Sequence, residues 1–460
     1  MQLRKLSRKQ RVILLILGVV VLAVLILTGK LSEKRGQSEE KLPVANEELL
    51  ILGTADSIEN LEKNQVYTDK GIYFCGKEIE WAPYLYQSVQ AVTEDDRILH
   101  INNLLQREVK LENCLITENS TNYVTIFSEG FRLNLPCKNL GAMFNDEIVD
   151  IYLTNGYITK ISTKKEYIDG KILSIRNDGI ELEGYGVVPL SESFRFYETF
   201  GDYKEKSAYG LIVGYEQAKL IVAEGKICAA VLDAPMTLER IRVLLKTTDF
   251  ADVVHENVVL RAHGNYEVFY GNQKEVLKDG EEIKLTAFSE ELSEERVLLK
   301  PENENARMEI ASIERNYGIP VYAGNIEVVK DSGGLVIIND LNLETYLYSV
   351  VPSEMPAGYE IEALKAQAVC ARSYAYRQIM LNGYASYGAH VDDSVSYQVY
   401  NNLTTNDKVI QAVNETAGKV LRFGDEVATT YYFPLPADIP PTKPSGKMAW
   451  KKTATFPVNY

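Results

Sequence analysis

A chain of 460 residues is longer than one core usually organises, so two or three domains are expected. Its 46% hydrophobic content excludes a disordered or fibrous chain. A net charge of −15 argues against nucleic acid as a partner, because a polyanion would be repelled.

The first element in chain order is an apolar run from Val12 to Thr28. At ~1.5 Å per residue it reaches roughly 26 Å, the short end of what spans a bilayer. Arg4, Lys5, Arg8, Lys9 and Arg11 precede it and would keep residues 1–11 cytoplasmic. No small-x-small cleavage site follows the run, and it is longer than the apolar part of a usual signal peptide. Residues 12–28 therefore read as an uncleaved transmembrane anchor, with the remainder outside the cytoplasm. Residues 30–47, rich in Lys, Glu, Ser and Gly, read as a linker.

From 48 to 235 the pattern is short β-type runs such as Tyr123–Phe127, Val149–Leu153, Lys171–Ile175 and Leu220–Val222. Asn155-Gly156 and Asn177-Asp-Gly179 fall between such runs as hairpin turns. Residues 149–161 resemble 218–230, which suggests two tandem small barrels or sandwiches. Cys75, Cys114, Cys137, Cys228 and Cys370 are scattered and show no metal spacing, so buried free thiols are expected.

A further β section opens at Ile241–Lys246, continues through Tyr266–Tyr270 and Ile283–Leu285, and closes at Gly333–Asn339. Asp340-Leu-Asn342 offers a helix start, and Leu343, Leu347 and Val350 form a stripe that should end at Pro352. A main helix is expected over about 360–380, with Ile361, Leu364, Ala368, Ala371 and Ala375 on one face. Gln367 and Arg372 lie off that stripe, so spacing alone makes them solvated. Pro352 and Pro356 each lack a backbone donor and push their predecessors toward extended geometry. Glu354 is thus expected on a short stiff loop between two helices, where a carboxylate can be a positioned acid; a plain solvated Glu is the alternative.

At Ser353-Glu-Met-Pro356, Glu362–Val369, Ala371-Arg-Ser-Tyr-Ala375, Val336–Asn339, Leu343–Leu347 and Tyr397-Gln-Val-Tyr400, the sequence resembles the stage II sporulation protein D/LytB family. The resemblance covers about 239–433, and residues 48–235 carry none of its motifs. It implies a lytic transglycosylase that cleaves the MurNAc–GlcNAc bond of peptidoglycan glycan strands and leaves 1,6-anhydro-muramyl ends, with no cofactor. The family's catalytic Glu falls on Glu354 and a required Arg on Arg372. Arg372 would position sugar oxygens or a lactyl carboxylate through its planar fork. Gln367 and Gln398 are candidates for sugar hydrogen bonds. Tyr374, Tyr376, Tyr397 and Tyr400 could stack on sugars, although aromatic residues at such spacing are more often core. Other cell-wall hydrolases or sporulation proteins are implied as partners. A non-catalytic wall-binding or amidase-modulating protein is the competing reading, and a purely structural envelope protein is a third.

Two stretches depart from the family's pattern. Where some members carry a His/Cys metal cluster, this chain has His390 with Asp392 and Asp393, a poor zinc set, so no metal is expected. After Phe433 a Ser/Gly-rich continuation is replaced by a tail holding six of the 15 prolines and one of the 64 acidic residues. Codons can be chosen for 434–442 such that one inserted nucleotide restores the family's pattern, so 434–460 reads as frame-shifted and the domain as truncated; a genuine Pro-rich tail is the alternative. The expected class is α+β: a transmembrane helix, β-rich modules, then a mixed α+β catalytic domain.

Overall fold

A computed structural model describes residues 45–430, apart from 60, 77–78, 139–144, 401–405 and 425. The basic N-terminus, the apolar run 12–28, most of the 30–47 linker and the tail 434–460 lie outside the described residues.

The chain divides into two compact units. The first comprises, among the described residues, 45–109, 133–138 and 152–159 and contains a closed five-stranded barrel. Its strands run in the order Ala45–Thr54, Gln65–Thr68, Gly71–Cys75, Arg97–Leu105 and Ser88–Glu94, and the last pairs back with the first. Leu49, Ile51, Val66, Tyr73, Val89, Ala91 and Ile98 fill it. Closure leaves no unpaired edge to aggregate.

The second unit comprises, among the described residues, 110–132, 145–151 and 160–430. In it the hairpin of Lys219–Ala223 and Lys226–Leu232 turns at Glu224 and Gly225, whose φ angles are 53° and 72°. Asn155 and Gly156, at 51° and 77°, have the same left-handed pair. Positive φ at both central residues is what a two-residue hairpin with native twist requires. Each of the two similar stretches, 149–161 and 218–230, thus contains a strand–turn–strand unit with the same turn geometry.

The same unit holds a seven-stranded sheet. Its order is Gln273–Leu277, Tyr266–Tyr270, Arg296–Pro301, Asn325–Asp331, Gly334–Asn342, Arg240–Leu245 and Val391–Asp392. Every residue of Gly334–Asn342 except the last is buried, polar Asn339 and Asp340 included, so this strand is covered on both faces. Three helices share its core: α1 (Leu343–Glu354), α2 (Ile361–Leu381) and α3 (Asp407–Asn414). The Asn342 side chain accepts the Glu344 N–H and starts α1 directly from the strand. Asn382, left-handed at φ 55°, ends α2.

The expected class needs correction. Strand makes up 48% of the structure against three helices among the described residues, so the protein is predominantly β rather than evenly mixed α+β. No described helix is long and apolar enough to cross a membrane. The motifs cluster on α1 and α2, which gave helix too much weight; most of the supporting chain is strands too short and varied to carry motifs.

Candidate active site

Three local features set the geometry around Glu354. The first is the end of α1. The helix does not stop at Pro352: it runs through the proline to Glu354, and Met355 turns extended at φ −136°. Pro352 sits in the last turn, where its missing N–H forfeits a single helical hydrogen bond. The turn stays closed by the Met355 N–H to the Val351 carbonyl (2.9 Å) and the Ser353 hydroxyl to the Ser349 carbonyl (2.7 Å). Glu354 is thus the last helical residue, not a loop carboxylate, and its direction is fixed by helix geometry.

The second feature is the segment facing it. In 397–400 Gln398 and Tyr400 are buried while Tyr397 and Val399 are partly exposed, the alternation of an extended strand. The Val399 N–H donates to Glu354 Oε1 at 3.3 Å. Tyr400 donates its hydroxyl to Asn339 Oδ1 (2.9 Å) and stacks on Tyr322. Gln398 donates from Nε2 to the Ala371 carbonyl of α2 (3.1 Å) and accepts the Tyr346 hydroxyl of α1 at 3.5 Å.

The third feature is charge. Glu354 is half-buried, and burial pushes its carboxyl above the ordinary 4.5 while the Val399 N–H pulls it back. Among the described residues no cation contributes to its shift. A carboxyl raised this way can hold a proton closer to neutrality and donate it to an oxygen placed beside it.

Arg372 is placed differently from the expectation. It is 1% exposed, not solvated, and its fork is bidentate on Glu344, Nε to Oε1 at 2.8 Å and Nη2 to Oε2 at 2.6 Å. Nη1 donates to the Lys419 carbonyl (3.1 Å) and Nη2 to the Val413 carbonyl (3.3 Å). Arg372 therefore ties α2 to the start of α1 and the end of α3, and its donors are engaged within the protein. Glu344 escaped the sequence reading because a separation of 28 residues carries no local signal. Gln367 is buried as well, and its Nε2 has no hydrogen-bond partner among the described residues. Tyr376 is half-buried against the core, and burial raises its hydroxyl. The structure thus brings Val399, the neighbour of Gln398, to Glu354, and gives Arg372 a partner of its own.

His390 is fully buried with both ring nitrogens engaged: Nδ1 accepts the Arg242 N–H (3.1 Å) and Nε2 faces the Val213 carbonyl (2.9 Å). Burial pushes it down to about 3, so the ring is neutral. Asp392 accepts from Tyr384 and Ser394, and Asp393 from Lys246 and Arg315. These side chains are committed to internal bonds, and no group of three or more potential ligands for a metal occurs among the described residues.

Comparison with known proteins covers this same region. Residues 331–423 match the family model described as Stage II sporulation protein, SpoIID. An uncharacterized protein of Brachyspira hyodysenteriae (strain ATCC 49526 / WA1) is 36% identical over 115 residues, 25% of this chain and 31% of that protein. The amidase enhancer of Bacillus subtilis (strain 168) is 38% identical over 86 residues, 19% of this chain and 11% of the relative. The stage II sporulation protein D of the same organism is 34% identical over 110 residues, 21% of this chain and 32% of the relative. The chain spans about a third or less of the length of these curated relatives. Glu354, Arg372 and Gln398 all lie inside residues 331–423, the segment of this chain that matches the SpoIID family.

Proposed function

We propose that this protein is a peptidoglycan lytic transglycosylase that acts outside the cytoplasm with Glu354 as its single acid/base. The observation that carries the reading is a half-buried helix-terminal carboxyl raised by burial, with one backbone donor and no cation among the causes of its shift. Protonated Glu354 would give its proton to the glycosidic oxygen as the C1–O bond of the muramyl residue breaks. The C6 hydroxyl of the same sugar then attacks C1, and its proton returns to the Glu354 carboxylate. The product is a 1,6-anhydro end, water is not consumed, and no second carboxylate is needed. Arg372 acts through packing, holding α1, α2 and α3 so that Glu354 keeps its direction.

The test is digestion of stem-peptide-free glycan strands, with anhydro-muramyl products read by mass spectrometry. The expected result is product from the wild type and about a thousandfold less from Glu354→Gln. No product from folded wild type would overturn the reading. A second reading, modulation of an amidase without catalysis, is favoured by the likeness to the amidase enhancer. It predicts no anhydro product and a faster amidase when this chain is added.

A further inference from the structure

A carboxyl that gives and then recovers a proton needs something to meet its charge between the two steps. Beside Glu354 that is one backbone N–H, from Val399 at 3.3 Å. Backbone donors serve this purpose only when the chain carrying them is held still. The segment 398–400 is held by the two side chains that alternate inward. Tyr400 is fixed by Asn339, by stacking on Tyr322 and by a tilted ring contact with Tyr346. Gln398 is 2% exposed and reaches both helices of the corner that carries Glu354, α2 through the Ala371 carbonyl and α1 through the Tyr346 hydroxyl. A buried amide that bridges these helices sets the distance between the Val399 N–H and the end of α1.

We infer that Gln398 is a positioning residue for Glu354: it bridges α1 and α2 and so holds the Val399 N–H against the Glu354 carboxylate. This departs from the sugar contact that the sequence suggests for Gln398, since both ends of its amide are turned into the protein. The consequence for the reaction rests on the lytic transglycosylase reading; the placement of the N–H does not. With the bridge in place the donor stabilises the ionised carboxylate left after proton transfer. With the bridge lost, the Val399 N–H withdraws and burial alone acts on the carboxyl, so Glu354 holds its proton to higher pH.

The experiment uses the full chain and the variant Gln398→Met, which keeps length and volume while removing both polar contacts. Gln398→Leu serves as a second variant, and thermal melting establishes which of the two is folded. Glu354 is titrated directly by its side-chain carboxyl ¹³C resonance, assigned by its disappearance in Glu354→Gln. The expected result is titration at higher pH in the Gln398 variants, together with faster hydrogen exchange at the Val399 amide. In the glycan assay the basic limb of the kcat profile moves up in step, and kcat falls about tenfold or more, the size of effect a misplaced catalytic contact produces. An unchanged Glu354 titration in a folded Gln398 variant would overturn the inference. A shifted titration in a protein that cleaves no glycan would support the positioning role while removing the transglycosylase reading.

Discussion

Burial does opposite things to carboxylates in two parts of the same unit. In the seven-stranded sheet, Glu327 and Asp340 are almost wholly buried around Arg242, itself 0% exposed. Arg242 is bidentate on Glu327 at 2.7 and 2.8 Å and reaches Asp340 at 3.1 Å. Arg296 joins Glu327, while Lys171 and Arg240 reach Asp340 at 2.9 and 2.8 Å. Burial by itself would raise both carboxyls, yet Arg242 and these neighbours hold them below their ordinary values. Glu354 is less buried and is raised, because among the described residues the group drawing it back is a neutral N–H. A proton is therefore easier to keep where the structure withholds a cation than where burial is deepest. The depth of a carboxyl says little about its chemistry until its partners are counted.

The widest gap between the two regions should open in activity. Glu354→Gln keeps shape and removes the titrating proton, so anhydro product formation should fall about a thousandfold, measured by mass spectrometry, while the melting temperature stays near that of the wild type. Glu327→Gln should do the reverse. It leaves the buried Arg242 with one full countercharge fewer and should cost about 3–5 kcal/mol in urea unfolding. The double variant Arg242→Met/Glu327→Met should lose less than the sum of its single variants, because neither charge is left stranded. A Glu327→Gln protein as stable as wild type would remove the contrast.

Arg372→Lys tests a site between these extremes. A lysine replaces the bidentate contact to Glu344 by a single point charge and cannot also reach the Lys419 and Val413 carbonyls in the same geometry. Stability should fall by about 1–3 kcal/mol, and glycan cleavage should fall with it through the loosened helix corner. Glu344→Gln should reproduce the effect. A stable Arg372→Lys protein that has lost activity would instead return Arg372 to a direct role on substrate.

What the sequence shows and what it hides divide along physical lines. The helix over 361–381 and the strands at 240–245, 266–270 and 334–342 follow from local apolar pattern and stand where that pattern puts them to within a few residues. Asn342 as a cap is a local rule and is likewise legible. The burial of Gln367 and Arg372 was not, because the polar edge of an amphipathic helix is solvated only if nothing packs on it, and α3 and residues 416–421 pack on this one. The end of α1 departs from local pattern for a different reason. Pro352 forfeits one helical hydrogen bond, yet the helix runs two residues past it because the Met355 N–H and the Ser353 hydroxyl close the last turn. Residue types marked Glu354 out as a candidate; its missing cation and the Val399 donor are tertiary facts with no sequence signature.

The smallest effect separates the two regions by pH. Glu327 and Asp340 have folded-state pKa values below their ordinary 4.5 and 3.8, so their contribution is complete above those values and is lost only as pH falls. Glu354 has the opposite sign. Its folded pKa lies above 4.5, so its contribution is complete below 4.5 and is lost as pH rises through the folded value. Comparing wild type with Glu354→Gln cancels the buried cluster, which both proteins share. The difference in unfolding free energy should favour wild type most at pH 4 and drift toward the variant at higher pH. Its size should be about 0.5 kcal/mol, because the carboxyl is only half-buried and water screens it. Urea unfolding at half-unit pH steps measures it. A drift in the other direction would mean that a cation reaches Glu354 in solution, and the distinction between the paired and unpaired carboxylates would fail at the residue on which the proposed chemistry depends.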